Sequence, residues 1–142
     1  MTVEFDRSSV CMGDDCMPHI EKRELADTEL ASDLLYCLSK YVPSMYNVVW
    51  TVYSPNVTDK IIGYIITDNQ GKSEVELNIR NATLNELFTI NLGNITVFCK
   101  YYHQGSFSWI EGKTGKYIEK HSECSTLLEK VKSECKVNKC SM

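Results

Sequence analysis

No stretch of the chain approaches the roughly 18 consecutive apolar residues of a membrane-spanning helix. The first residues, MTVEFDRSSV, lack the basic and then apolar order of a secretory signal. Together these absences set the expectation of a soluble cytoplasmic protein with no membrane partner. A basic excess is missing too. The formal net charge is −4, which argues against nucleic acid as the main partner. There is no internal repeat and no low-complexity segment, which sets aside solenoids, propellers and disordered linkers. Reaction signatures are absent as well. No G-x-S-x-G elbow presents a serine nucleophile, no P-loop or G-x-G-x-x-G cradles a phosphate, and no H-E-x-x-H pairs two imidazoles on a helix. Gly112-Lys113-Thr114-Gly115 has the letters of a phosphate loop but no upstream glycine, and it reads as a hairpin turn. The expectation is a protein that is not an enzyme and holds no cofactor.

What is present is an ordinary globular composition. Apolar residues make up 43% and charged residues 24% of 142, enough for one domain over 1–142 with a real core. The clearest stretch is Tyr46 to Ile79. Its runs NVVWTVYS and KIIGYIITD are rich in β-branched and aromatic residues, which suit a pleated surface. The first is apolar on both faces and predicts a central strand. Gly63 in the second marks close packing or a bulge. Asp68-Asn69-Gln70-Gly71 is the hairpin connection to KSEVELNI, where Val75, Leu77 and Ile79 alternate with outward Glu74, Glu76 and Asn78.

Around this meander the chain predicts a short strand at Thr2–Phe5, a loop at 7–19, and a polar edge strand at Ile20–Leu25. An amphipathic helix of about 14 residues follows, with Asp27 or Thr28 as its cap, Leu30, Leu34, Leu35, Leu38 and Tyr41 as its stripe, and Pro43 ending it. Thr83 and Glu86 have capping-box spacing for a short helix. Ile95–His103 is a long strand, with Ser106–Glu111 as its hairpin partner and Lys116–Glu119 after a further turn. A last helix spans Ser122–Val137, with Cys124, Leu127, Leu128, Val131 and Cys135 on one stripe. The fold expected is α+β: a mostly antiparallel sheet of five to seven strands with two main helices packed on one face.

Seven cysteines, an odd number, point to reduced thiols. The sequons at Asn56, Asn81 and Asn94 are of the frequency that chance supplies. Cys11, Asp14, Asp15, Cys16 and His19 bring thiols, carboxylates and an imidazole close enough to suggest zinc. The five-residue separation of the cysteines is not the usual knuckle, however, and a turn whose Asp side chains bond backbone amides explains the stretch without a metal. Cys16 near His19, and Cys124 near His121, could be drawn as thiolate–imidazole pairs; Cys124 sits on the apolar stripe, which favours burial. Tyr101, Tyr102, His103, Phe107 and Trp109 lie across one predicted hairpin. Adjacent tyrosines point to opposite faces, so Tyr102 and Trp109 are candidates for a partner surface, with cross-strand packing as the equal alternative.

The segment Ser9-Val-Cys-Met-Gly-Asp-Asp-Cys-Met-Pro-His19, followed by a strand, an amphipathic helix and a Pro-Ser turn into NVVWTVY, resembles the N-terminal pattern of small bacterial proteins of the toxin-immunity type. The resemblance rests on the G-D-D…P-H core and covers roughly the first 55 residues. It implies a partner of a secreted toxin and assigns no residue a role. The charge pattern fits such a role. Glu4, Asp6, Asp14, Asp15, Glu21, Glu24, Asp27, Glu29 and Asp33 face only Arg7, Lys22 and Arg23 in the first quarter. Opposed charge speeds association. The leading expectation is therefore a cytoplasmic immunity protein that blocks a basic, nuclease-type toxin through Asp14, Asp15, Glu21, Glu24, Asp27, Tyr102 and Trp109. The alternatives are a metal-binding protein or metal-dependent enzyme built on Cys11–His19, and a regulatory subunit that oligomerises through an edge strand.

Overall fold

The computed structural model describes residues 1–10, 18–103 and 124–137, with side chains over 127–133 in the last stretch. The elements are β1 (Thr2–Arg7), β2 (Glu21–Glu24), α1 (Ala31–Tyr41), β3 (Val48–Tyr53), β4 (Ile61–Thr67), β5 (Ser73–Leu77), α2 (Leu84–Leu87), β6 (Ile95–His103) and α3 (Cys124–Val137). The fold is α+β, with six strands in the order β2-β1-β6-β3-β4-β5. All neighbours are antiparallel except β1 and β6, which run parallel with Phe5 opposite Val97. β6 is thus the seam between an N-terminal hairpin and the β3–β4–β5 meander. Among the described residues no helix is long and apolar enough to cross a membrane.

β3 lies inside the sheet and is buried on both faces, as its doubly apolar sequence requires. One face carries Val3, Phe5, Val48, Trp50, Val52, Ile65, Val97 and Cys99 against Leu34, Leu35 and Leu38 of α1 and Leu84 and Leu87 of α2. The other carries Val49, Ile61, Tyr64 and Tyr102 against Leu127 and Val131 of α3. The expectation of both main helices on one face is therefore corrected: α1 covers one face and α3 the other. Val48, Trp50 and Val52 alternate with Val49 along one strand, and each set finds its own helix.

Local chemistry explains the element ends. In the β4–β5 turn, the Asp68 carboxylate accepts hydrogen bonds from the Gln70 and Lys72 amides, each at 2.8 Å, and Gly71 takes φ +81°. Gly63 serves both purposes expected of it. The β3–β4 register shifts beside it, between Val52 and Tyr53, and a Cβ there would meet the Glu76 carbonyl and stand 2.7 Å from Leu35 Cδ1. α1 starts later than Asp27 or Thr28 would set it. Leu30 occupies the cap position, and its amide is held by the Asp33 carboxylate at 3.0 Å. The reason is tertiary. Leu30 bridges to Thr83, Ala31 N–H bonds Ala82 O, and Leu84 N–H bonds Glu29 O, so the approach to the helix stays extended. α2 is capped by the Thr83 hydroxyl, which accepts from the Glu86 amide at 3.3 Å.

Candidate functional site

Of the residues expected to meet a partner, Glu21, Glu24 and Asp27 fall at one end of the sheet, on and just after the edge strand β2. They are exposed to different degrees and already have company. Glu21 pairs with Arg23 at 2.8 Å, and that guanidinium also lies 5.8 Å over the Phe5 ring, with Nη1 3.5 Å from the Cys37 thiol. Glu24 accepts from the Thr2 hydroxyl, and Asp27 stands 3.3 Å from the Met1 amine. The Glu24 and Asp27 side chains remain 75% and 59% exposed, so their charge is available to a partner. Asp14, Asp15 and Trp109 lie outside the described residues.

Tyr102 does not form a surface. It is buried beneath α3 with Val49, Tyr64, Leu127 and Val131, and the Lys100 ammonium lies 5.2 Å from its ring centroid. Its neighbour Tyr101 points to the α1 face, with ring centroids 5.1 Å from Trp50 and 5.2 Å from His103. Adjacent tyrosines do take opposite faces. Because both faces carry a helix, neither needs a partner to cover it. Phe107 and the expected hairpin strand 106–111 lie outside the described residues, as do the Gly112–Gly115 turn and Lys116–Glu119.

The loop that carries Cys11, Asp14, Asp15 and Cys16 also lies outside the described residues, but its two roots are described. Ser9 Oγ and His19 Nε2 are 3.1 Å apart, the Tyr41 hydroxyl donates to His19 O, and Ser8 N–H bonds Cys99 O at 3.0 Å. Burial, and next the negative charge of Asp6, push the Tyr41 hydroxyl above its usual range, which keeps it a donor. These contacts close the loop base onto α1 and β6. Among the described residues no group of three or more His, Cys, Asp or Glu side chains is placed to hold a metal ion. Cys99 is fully buried, and burial pushes its thiol up to about 12, which makes it a core residue and no nucleophile. His121 and Ser122 are outside the described residues, and the Cys124 side chain is not described.

At the opposite edge the sheet holds a feature that sequence reasoning passed over. Ile66, Asp68, Lys72, Glu74, Val75, Glu76 and Leu128 line a groove of about 310 Å³ between the β4–β5 hairpin and α3. Glu76 forms an ion pair with Lys132 of α3, whose ammonium also lies 5.7 Å from the Tyr64 ring centroid. The alternation of Glu74 and Glu76 with Val75 and Leu77 was the signal. It reads as a wet face, and the part that makes it a groove, Leu128, is supplied from more than fifty residues away.

A comparison of the chain with protein-family models, with curated proteins and with solved structures finds no match.

Proposed function

We propose that the chain is a cytoplasmic binding protein that neutralises a basic protein partner, as an immunity protein blocks a secreted nuclease-type toxin. One observation carries the reading: Glu24 and Asp27 stand 75% and 59% exposed at the end of an edge strand, where a docking cation reaches them without displacing core. Acidic rims of this kind steer a cationic partner into contact and raise its association rate. The toxin class comes from the resemblance of the N-terminal segment, and the reading gives the chain no reaction of its own. The test is the association rate of the purified chain with a panel of basic nuclease domains at low and high salt. The expected result is tight binding to at least one domain, with an on-rate that falls steeply as salt rises and falls again in E24K/D27K. Binding that ignores salt, or no binding across the panel, would overturn it.

A further inference from the structure

The two edges of the sheet differ in what they offer to another backbone. At β2, Leu25 N–H bonds Met1 O at 2.8 Å. The antiparallel alternation then turns only the backbone groups of Lys22 and Glu24 outward, and Lys22 sets a positive charge between the acids. At β5, Asp68 N–H bonds Lys72 O at 3.0 Å and Asn78 N–H bonds Ile62 O at 2.9 Å. The same alternation directs the N–H and C=O groups of Ser73, Val75 and Leu77 away from β4. β5 ends the sheet order, so no described strand receives them. On the α3 side of this edge stand Glu74 and Glu76, two residues apart, above the groove floored by Ile66 and Leu128.

We propose that the outer edge of β5 and the groove beside it accept an extended, lysine-bearing segment of a protein partner as a seventh strand. This rests on the basic-partner reading and adds to the Glu24–Asp27 rim a second contact surface, at the opposite edge of the sheet, with the conformation the partner takes there. An added strand takes its main-chain hydrogen bonds from Ser73, Val75 and Leu77. Its alternate side chains then fall across from Glu74 and Glu76, where opposite charges stabilise a cross-strand pair. A lysine there lays its aliphatic stem on Ile66 and Leu128 and brings its ammonium to Asp68, Glu74 and Glu76, whose three charges outnumber the chain's own Lys72 and Lys132 at the groove. The chain's own Lys132 shows that the surface suits this side chain, since its ammonium sits between the Glu76 carboxylate and the Tyr64 ring. A second copy of this chain is the poorer occupant. Antiparallel pairing of β5 with itself sets Glu74 and Glu76 of one copy against the same residues of the other, and like charges directly opposite destabilise the pair.

The probe is a short synthetic peptide alternating lysine with valine, titrated into the full chain and followed by fluorescence anisotropy. Wild type binds it, and a peptide with glutamate in place of lysine does not bind. E74Q/E76Q weakens binding by about fivefold, in line with two cross-strand charge pairs. V75P removes an outward N–H that β4 does not use, a position where an edge strand tolerates proline, and it weakens binding by about tenfold or more. D59N, which removes one exposed charge from the β3–β4 turn, has no effect. Since V75P also alters a half-buried side chain, its fold is checked by circular dichroism, and E74Q/E76Q decides the matter if V75P is unfolded. No binding by wild type, or unchanged binding by E74Q/E76Q, overturns the site. A concentration-dependent dimer that the lysine peptide does not dissociate gives the edge to a second copy and also overturns it. Nuclease-domain binding lost in E24K/D27K but intact in E74Q/E76Q keeps the basic-partner reading and removes the β5 site.

Discussion

The two faces of the sheet are covered by helices of similar length that rest, among the described residues, on cores of different size. α1 rests on a continuous core of Phe5, Val48, Trp50, Ile62, Ile65 and Val97 and is tied at its start by Leu30–Thr83, Ala31–Ala82 and the Ser32 amide bond to Asn81 Oδ1. Among the described residues α3 meets Val49, Ile61, Tyr64 and Tyr102 through Leu127 and Val131, with Leu128 and Lys132 at the margin. A helix held by many buried contacts opens only with the whole domain, whereas one held by few opens locally at lower cost. The difference bears on function, because Leu128 of α3 forms one wall of the β5 groove. Equivalent truncations on the two helices are the sharpest way to break the comparison. Leu35→Ala removes a fully buried side chain and is expected to cost about 3–5 kcal/mol of global stability. Leu127→Ala, also at a buried site, is expected to cost the cooperative transition less, about 2–3 kcal/mol. Its main effect is fast hydrogen exchange of the α3 amides while those of α1 and β3 stay protected. Equal losses in denaturant unfolding, with α3 exchange unchanged, would show that the faces are one cooperative unit.

The next effect tests whether polar burial holds the α1-side core as firmly as apolar burial. Asn56 is 1% exposed, and its amide nitrogen donates to Ile90 O and Asn94 O, each at 3.0 Å. Its side-chain oxygen accepts from Thr96 N–H at 3.1 Å. One side chain thereby joins the β3–β4 turn to the chain entering β6. Asn56→Ala leaves these groups unpaired in the interior and is expected to cost about 2–4 kcal/mol in urea unfolding. A loss below about 1 kcal/mol would mean that water replaces the amide. The burial also puts the Asn56 sequon beyond reach of a glycan in the folded chain.

Gly63→Ala tests the closeness of α1 to the sheet. The new methyl would stand 2.7 Å from Leu35 Cδ1 and closer still to the Glu76 carbonyl. The backbone contact cannot rotate away, so a loss of about 1–3 kcal/mol is expected. Adding Leu35→Ala clears one of the two contacts. The double variant should therefore lose less than the two single losses together, which a double-mutant cycle measures. Strict additivity would show that Leu35 is not what confines Gly63.

What was legible in the sequence was whatever neighbouring residues decide. The doubly apolar run from Val48 placed β3 inside the sheet, the charged Glu21–Glu24 run placed β2 at an edge, and Asp68 to Gly71 specified the hairpin. The alternation that put Val75 and Leu77 inside held as well. What escaped was set by residues distant in the chain. The insertion of β6 between β1 and β3, parallel to one and antiparallel to the other, is a non-local pairing with no local signature. The capping of α1 at Leu30 follows from the strand-like contact with Thr83, which outweighed the good capping chemistry of Asp27 and Thr28. Tyr102 looked available to a partner only because alternation cannot say that a second helix covers its face. Asn56 stood out only as a chance sequon, because the carbonyls it joins at Ile90 and Asn94 are distant in the chain, and the β5 groove needed Leu128 to exist.

The smallest expected effect concerns the hairpin on which both faces end. Amide hydrogen bonds from Lys72 and then Gln70 hold the Asp68 carboxyl below its ordinary range. A carboxyl lowered in the folded state adds stability that is complete above its unfolded pKa, near 3.9, and disappears as pH falls through the folded value. The hairpin's contribution should therefore be constant from neutral pH down to mild acid and fade only in strong acid. Asp68→Asn keeps a side-chain oxygen for the two amides and loses the charge. It should lower the thermal midpoint slightly at neutral pH and flatten the acid limb of the stability curve, so that the two proteins converge in strong acid. Because β5 supplies Val75 and Leu77 to the α1 side and Glu76 to Lys132 of α3, the loss should appear in hydrogen exchange on both sides of the sheet. An exchange change confined to α3 would mean that the hairpin supports only the weaker face, and a constant gap between the two curves at every pH would mean that the Asp68 charge plays no part.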